Sequence, residues 1–337
     1  MKNLWPAPRQ LWRLAASAAC LLLITPPAGA ASKIRLAQPT ITVMYAPLYF
    51  GAKQGIFTGE GLELEFMTMR TDLAIAALGA GEVDYITHGG AALRAAAQGF
   101  PVKLVFALDH KTPFWLAARA QFKNVQQLKG KKIGVSFPAD TPHIILKRFL
   151  RQQGLDPDRD VTYVGGQFSP VALQSLLGGA IDAAVLAPPF NVLAEEKGLS
   201  LLTFLGQSVR DVTVSNGIVT SEQKIKSRPD EVKRMVRASL KALYAYRRDE
   251  LAAVEFLSSY FEISPKTAVK VFPQALDILT QHGQISEAEL RQILDMMQDT
   301  GQKESARIQP AGLMDFSFLH AARKEIASAA AGKKPSR

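Results

Sequence analysis

Residues 131–154 read KKIGVSFPADTPHIILKRFLRQQG, and this stretch decides the class of fold. Residues 132–136 are short and apolar at alternate positions, as a strand is. A polar loop follows. Thr141 then stands where an N-cap belongs, with Pro142 at the first helical position. Ile144, Ile145, Phe149 and Leu150 recur on one helical face until Gly154 ends the helix. A strand that feeds a capped helix is the unit of an α/β protein built on parallel sheets.

The same unit recurs on both sides. Upstream, strands are expected over 33–38, 62–67, 83–87 and 102–108, helices over 47–54, 72–78 and 91–98, and a further strand over 114–118. Downstream, 161–164 is a strand, and Ser169 caps a helix with Pro170 at N1. A strand over 181–186 runs into Pro188-Pro189, which opens the next helix. From Pro229 onward the chain is mainly helical, with Pro229, Pro265, Pro273 and Pro310 as punctuation.

The N-terminus reads as a cleaved secretory signal. Lys2, Arg9 and Arg13 precede an apolar run from Leu14 to Ile24, and Ala28-Gly29-Ala30 forms the cleavage site. The run is short for a bilayer span, which needs about 20 apolar residues, so a membrane anchor is the weaker alternative. Lipidation of Cys20 is weaker still, because Ser17 stands where leucine is preferred. Cleavage after Ala30 implies a periplasmic protein without cysteine, since Cys20 is the only one in the 337 residues. Neither disulfides nor thiolate metal sites then hold the fold. The net charge falls from +10 to +7, and its lysines and arginines are interspersed with acids. No basic stripe or reading motif points to nucleic acid.

At each strand-to-helix turn the free N–H groups of a helix face a loop. Ligands bind in the crevice beyond the carboxyl ends of such strands, and two such lobes face to face make a cleft. The loops expected there are 38–47, 70–71, 87–90, 137–142, 165–167 and 188–191.

Three stretches, in this order, resemble the nitrate, sulfonate, taurine and thiamine-precursor group of periplasmic binding proteins. The first is APLYFGAKQGIF at 46–57, followed by EGLEL at 60–64. The second is LGAGEVDY at 78–85, with Gly89-Gly90 and GFPVK at 99–103. The third is LKGKKIGV at 128–135, with GLDP at 154–157 and GGAIDAA at 178–184. The resemblance spans residues 34–200 and implies a type II periplasmic binding protein fold, two lobes joined by a two-crossing hinge. Residues 31–117 and 213–337 would form lobe 1 and residues 118–212 lobe 2. The implied role is the solute-binding component of an ABC importer: a monomer with no cofactor, whose partners are a small-molecule solute and an inner-membrane permease.

Within the expected cleft, Gln38 and Tyr45 lie beside the first helix start, at Pro47, and either bond a polar ligand or shape the loop. His88 precedes Gly89-Gly90 at another helix start, where it can donate to a ligand or serve the loop. Arg70 with Thr71 can grip a carboxylate, sulfonate or phosphate, or be solvated. Gln167 and Phe190 sit in the loops after the later strands. Asp140 and Thr141 matter most. Sulfonate and nitrate members have a glycine- and serine-rich turn there, whose free N–H groups suit an oxyanion. Here Phe137, Pro138 and Asp140 replace it, and a carboxylate repels an anion. The departure favours an organic solute with a ring or hydrogen-bond donors. Tyr45, Tyr49, Phe137, Phe168 and Phe190 are available for stacking.

Two other classes stay open. A receptor feeding a sensor kinase or another transporter would share every feature above. An enzyme like the related thiamine-pyrimidine synthases lacks their cysteine-rich motif here, and no nucleophile elbow, P-loop or metalloprotease motif is present. The five histidines show no metal-ligand spacing.

Overall fold

Alternation in β1 (Ser32–Gln38) buries Ile34 and Leu36 while Lys33 faces solvent, until Ala37 and Gln38 are covered on both faces. The computed structural model describes residues 31–137, 140–208, 214–291, 309 and 312–331. The expected leader with Cys20, the residues at the 212/213 boundary, Pro138, Pro310 and the Lys333-Lys334 tail lie outside the described residues. Residues 31–337 cluster as one unit.

The helices in chain order are α1 (Ala46–Lys53), α2 (Thr71–Ala80), α3 (Gly89–Ala97), α4 (Thr141–Gln152), α5 (Ser169–Leu177), α6 (Phe190–Glu196), α7 (Leu205–Ser208), α8 (Glu222–Ser227), α9 (Pro229–Arg248), α10 (Glu250–Tyr260), α11 (Pro265–Ile278) and α12 (Ser317–Ala331). The remaining strands are β2 (Leu62–Thr68), β3 (Tyr85–Ile86), β4 (Val102–Ala107), β5 (Trp115–Ala118), β6 (Lys131–Gly134), β7 (Val161–Val164), β8 (Ala183–Leu186), β9 (Ser200–Phe204) and β10 (Gly217–Ser221).

They form two five-stranded sheets, ordered β2-β1-β3-β10-β4 and β7-β6-β8-β5-β9. β1 runs parallel to β2 and β3, and β6 parallel to β7 and β8. The sheets are mixed, which corrects the expectation of parallel ones. β10 is antiparallel to β3 and β4, and β5 is antiparallel to β8 and β9. The reason is topological. β5 is the first strand after the chain leaves the first sheet, and β10 the first after it returns. Neither arrives through a βα crossover within its own sheet, so neither is obliged to run parallel. β9 and β10 were not expected as strands. β5 begins at Trp115, three residues before the boundary expected at 117/118, and Trp115 stacks on Phe204 of β9 at 4.2 Å.

Three other boundaries differ. Asp140 and Phe168, not Thr141 and Ser169, are the residues before α4 and α5, and neither side chain bonds the helix. The Ser169 hydroxyl instead accepts from Ala187 N at 3.0 Å. Pro273 lies inside α11. The carbonyl it cannot serve belongs to Val269, which is exposed, so water can replace the lost donor.

One core packs the first sheet against the C-terminal helices, and two smaller ones cover the faces of the second. The halves also meet beside the cleft, where Glu196 of α6 pairs with Lys270 of α11 at 3.1 Å and Asn191 donates to Gln274 at 2.9 Å.

Gly90 marks the closest approach of α3 to what surrounds it. A Cβ there would lie 2.8 Å from Val214 O and 3.0 Å from Thr141 Oγ1. Gly90→Ala is therefore expected to cost about 1–3 kcal/mol, seen as a lower urea midpoint at unchanged slope. Gly79→Ala, whose added methyl meets only Phe100 at 3.6 Å, should raise the midpoint. Equal midpoints for Gly90→Ala and the parent would refute the close approach.

Candidate functional site

The loops that leave β1, β2 and β3 face those that leave β6, β7 and β8. Between them lies a cleft whose space free of protein atoms, its solvent-open mouth included, is about 840 Å³.

Of the twelve residues expected at a site, Tyr45, Thr71, His88, Asp140, Thr141, Gln167 and Phe190 line this cleft. Five do not. Gln38 is buried and accepts the Tyr49 hydroxyl proton at 2.5 Å, which spends its carbonyl on α1. Pro47, Gly89 and Gly90 are buried in the first turns of α1 and α3. Arg70 is largely exposed, pairs with Asp72 at 3.0 Å, and lies 5.0 Å above the Phe137 ring. It bridges the outer edges of the loops rather than reaching inward.

Burial sets the chemistry of His88. It pushes the imidazole down to about 4, so the ring is neutral at pH 7. Its Nε2 lies 3.3 Å from Met69 O. A carbonyl only accepts, so the proton sits on Nε2 and Nδ1 is left as an acceptor, and it has no partner. The buried Gln167 Oε1 is also without a partner. Burial raises the Asp140 carboxyl above its ordinary value, against the opposing effect of the Ser136 hydroxyl, which donates to it at 3.2 Å, and of Arg94. Three inward groups, His88 Nδ1, Gln167 Oε1 and Asp140, are thus acceptors, set among serine and threonine hydroxyls that can both donate and accept.

Charged donors are scarce. Among the described residues no lysine or arginine lines the cleft. Burial pushes Arg94 down to about 10, still protonated at neutral pH, and it donates to Thr141 Oγ1 at 3.4 Å. Proline in the first turn of α1, α4 and α5 removes one N–H from each helix start that would otherwise face the cleft. The site is poor in what an oxyanion needs.

Sequence reading missed the wall made by the returning chain. Ser215 and Asn216 line the cleft, held there by the fully buried Asp109 at the first passage between the sheets. Its carboxylate accepts from Ser215 N at 2.8 Å, from Asn216 N at 3.1 Å and from the Asn216 amide. Asn216 Oδ1 in turn accepts the Tyr45 hydroxyl proton at 2.7 Å. A lone aspartate after a strand carries no motif, so only the fold reveals this chain of bonds. Opposite, Thr42 Oγ1 donates to Pro188 O at 3.3 Å across the cleft. Among the described residues no group of side chains could hold a metal ion, and no helix is long and apolar enough to cross a membrane.

Comparison with known proteins follows the same lines. The family described as NMT1/THI5 like matches residues 43–250. The riboflavin-binding protein RibY of Chloroflexus aurantiacus is 28% identical over 208 residues, which is 60% of this chain and 58% of that protein, so the chain spans less than two thirds of this relative. The alkanesulfonate-binding protein SsuA from Xanthomonas axonopodis pv. citri, bound to MOPS, shares the fold at a TM-score of 0.67 and 17% identity, over 88% of this chain and 99% of that one. A protein from Bordetella bronchiseptica RB50 does so at 0.76 and 17%, over 88% and 98%. The fold is not confined to binding proteins. The desulfurization enzyme DSZB shares it at 0.60 and 16%, over 87% and 99%.

Proposed function

The chain belongs to the NMT1/THI5-like family, and from that premise we propose that it is a periplasmic solute-binding protein that delivers a small, planar organic solute to an ABC permease in the inner membrane. The observation that carries this reading is a cleft lined from both sheets by aromatic rings and unpaired acceptors, with no lysine or arginine among the described lining residues. A planar ring bearing N–H fits between Phe168 and Phe190 on one side and Tyr45 on the other, and each N–H it carries can donate to His88 Nδ1, Gln167 Oε1 or Asp140. The riboflavin-binding relative supports a heterocycle; the sulfonate-binding neighbour is alike in fold alone.

The two sheets with their helices act as lobes, hinged at 108–114 and at the return before Gly217. A solute bonded to both favours the closed form by its differential affinity. The protein works as a monomer without a cofactor. The reading is of a binder rather than an enzyme: the riboflavin-binding relative is a binding protein, and His88 Nε2 is committed to Met69 O rather than to a hydroxyl.

A thermal-shift screen tests the reading. Riboflavin, lumichrome, aminopyrimidines, alkanesulfonates and nitrate are compared at equal concentration. A solute at 100 times its Kd adds about 2.7 kcal/mol, which for a chain of this size is roughly 5 °C. A shift with a planar heterocycle is expected. Tight binding of nitrate or a sulfonate, with none of a heterocycle, would overturn the solute class.

A further inference from the structure

The cleft continues into a second hollow at its mouth. Thr40, Ile41 and Phe190 line both, and Thr68, Tyr260 and Glu262 extend the second away from the inner chamber. The two are one continuous surface, and only the outer one adds a carboxylate that nothing else engages. The inner part offers acceptors between rings. The outer part offers the hydroxyls of Thr40, Thr68 and Tyr260 and the Glu262 carboxylate, set among the apolar Ile41, Pro170, Phe190 and Phe261.

Tyr260 is fixed in place by stacking on Tyr49 at 4.8 Å and on Phe256 at 5.0 Å. Its ring is partly exposed, and its hydroxyl bonds no described residue. Glu262 is the more telling group. It follows the end of α10, where Ile263 N closes the turn onto Ser258 O at 3.1 Å. Its φ is 52°, the one positive φ at a described residue other than glycine. Glycine is the residue that suits this position after a helix, and a side chain there is strained. Strain of this kind is retained at ligand clamps. The Glu262 carboxylate has no hydrogen bond or ion pair with any described residue, so local structure does not account for the side chain.

Resting on the reading above, we infer that the solute has two parts: a planar, N–H-bearing ring in the inner chamber, and a hydroxylated side chain that passes between Ile41 and Phe190 to end against Tyr260 and Glu262. Hydroxyls match this hollow because they donate to the carboxylate and exchange hydrogen bonds with Thr40, Thr68 and Tyr260. A ring alone leaves the outer groups to water.

Riboflavin and lumichrome separate the two parts, since they share a tricyclic ring of similar size and only the first carries a hydroxylated chain. Calorimetry is run with both on the parent protein, Glu262→Gly and Glu262→Gln. Riboflavin is expected to bind at least about tenfold tighter than lumichrome. Glu262→Gly should weaken riboflavin about five- to tenfold and leave lumichrome within about twofold, while its melting temperature stays level or rises because glycine suits the backbone. Glu262→Gln, still an acceptor, should fall between. Equal affinities for the two compounds, or a Glu262→Gly effect shared by both, would overturn the two-part solute while leaving the planar ring intact. Binding of neither by the folded protein would overturn the planar-ring reading, and this inference with it.

Discussion

Asp109→Ala is expected to lower the stability of the fold by about 3 kcal/mol at neutral pH. The substitution orphans three donors that converge on one carboxylate, Ser215 N, Asn216 N and the Asn216 amide, and each buried, unserved donor costs about 1–3 kcal/mol. The damage reaches the solute as well. Once Asn216 is loose, the Tyr45 hydroxyl loses its acceptor and one wall of the cleft is no longer fixed. The pH dependence has a definite sign. Burial pushes the Asp109 carboxyl up to about 7, so between about pH 4 and 7 the native state holds a proton there that the unfolded state has lost. Stability from this group is therefore greatest at the acid end and declines as pH rises through 7. The gap between parent and variant, in which every other titrating group cancels, should be widest near pH 4 and narrowest above 7. Urea titrations of both proteins at pH 4.5, 6 and 8 measure it. A gap that widens with pH would show that the three hydrogen bonds outweigh burial.

Asp140→Asn is expected to separate binding from folding. Asparagine keeps the position before α4 that asparagine and aspartate both favour, and burial already disfavours the charge, so the midpoint of unfolding should move little. Binding should change more. A hydrogen bond from a solute N–H to a carboxylate contributes about 1.5–3 kcal/mol against about 1 for a neutral acceptor, so the Kd for riboflavin is expected to rise roughly tenfold. The same change removes the charge that repels anions, and weak binding of an alkanesulfonate should become measurable by calorimetry. Unchanged affinity for both would mean that Asp140 serves only to hold the Ser136 hydroxyl.

What the sequence disclosed and withheld follows from the range of the interactions involved. The βα units were legible because periodicity and capping are local: β1, β7 and α4 lie within a residue or two of where 33–38, 161–164 and the 131–154 stretch put them. The loops beyond the strand ends were legible for the same reason, and they carry Tyr45, Thr71, His88, Asp140, Thr141, Gln167 and Phe190 to one cleft. Strand direction was not legible. β5 and β10 run against their neighbours because of where the chain has just come from, which no window of residues records. The partners of Gln38 and Arg70 were hidden too, since a glutamine spent on Tyr49 and an arginine spent on Asp72 read the same as free ones. Asp109 and Asn216, 107 residues apart, meet only when both passages are in place.

The contacts that span the cleft set a clock as well as a shape. The Thr42 hydroxyl on the Pro188 carbonyl, Arg94 on the Thr141 hydroxyl and Arg70 above Phe137 all join one sheet's loops to the other's. They are protein-to-protein contacts, so closure does not depend on the solute alone. The work the solute must do to shut the molecule is smaller, and its apparent affinity is correspondingly higher. The same contacts must part before the lobes proposed above can open. Under the proposed function, a solute too large for the mouth arrives and departs at the frequency of that opening rather than of diffusion. Under the proposed function, a permease that prises those contacts apart would hasten release without having to compete for the solute.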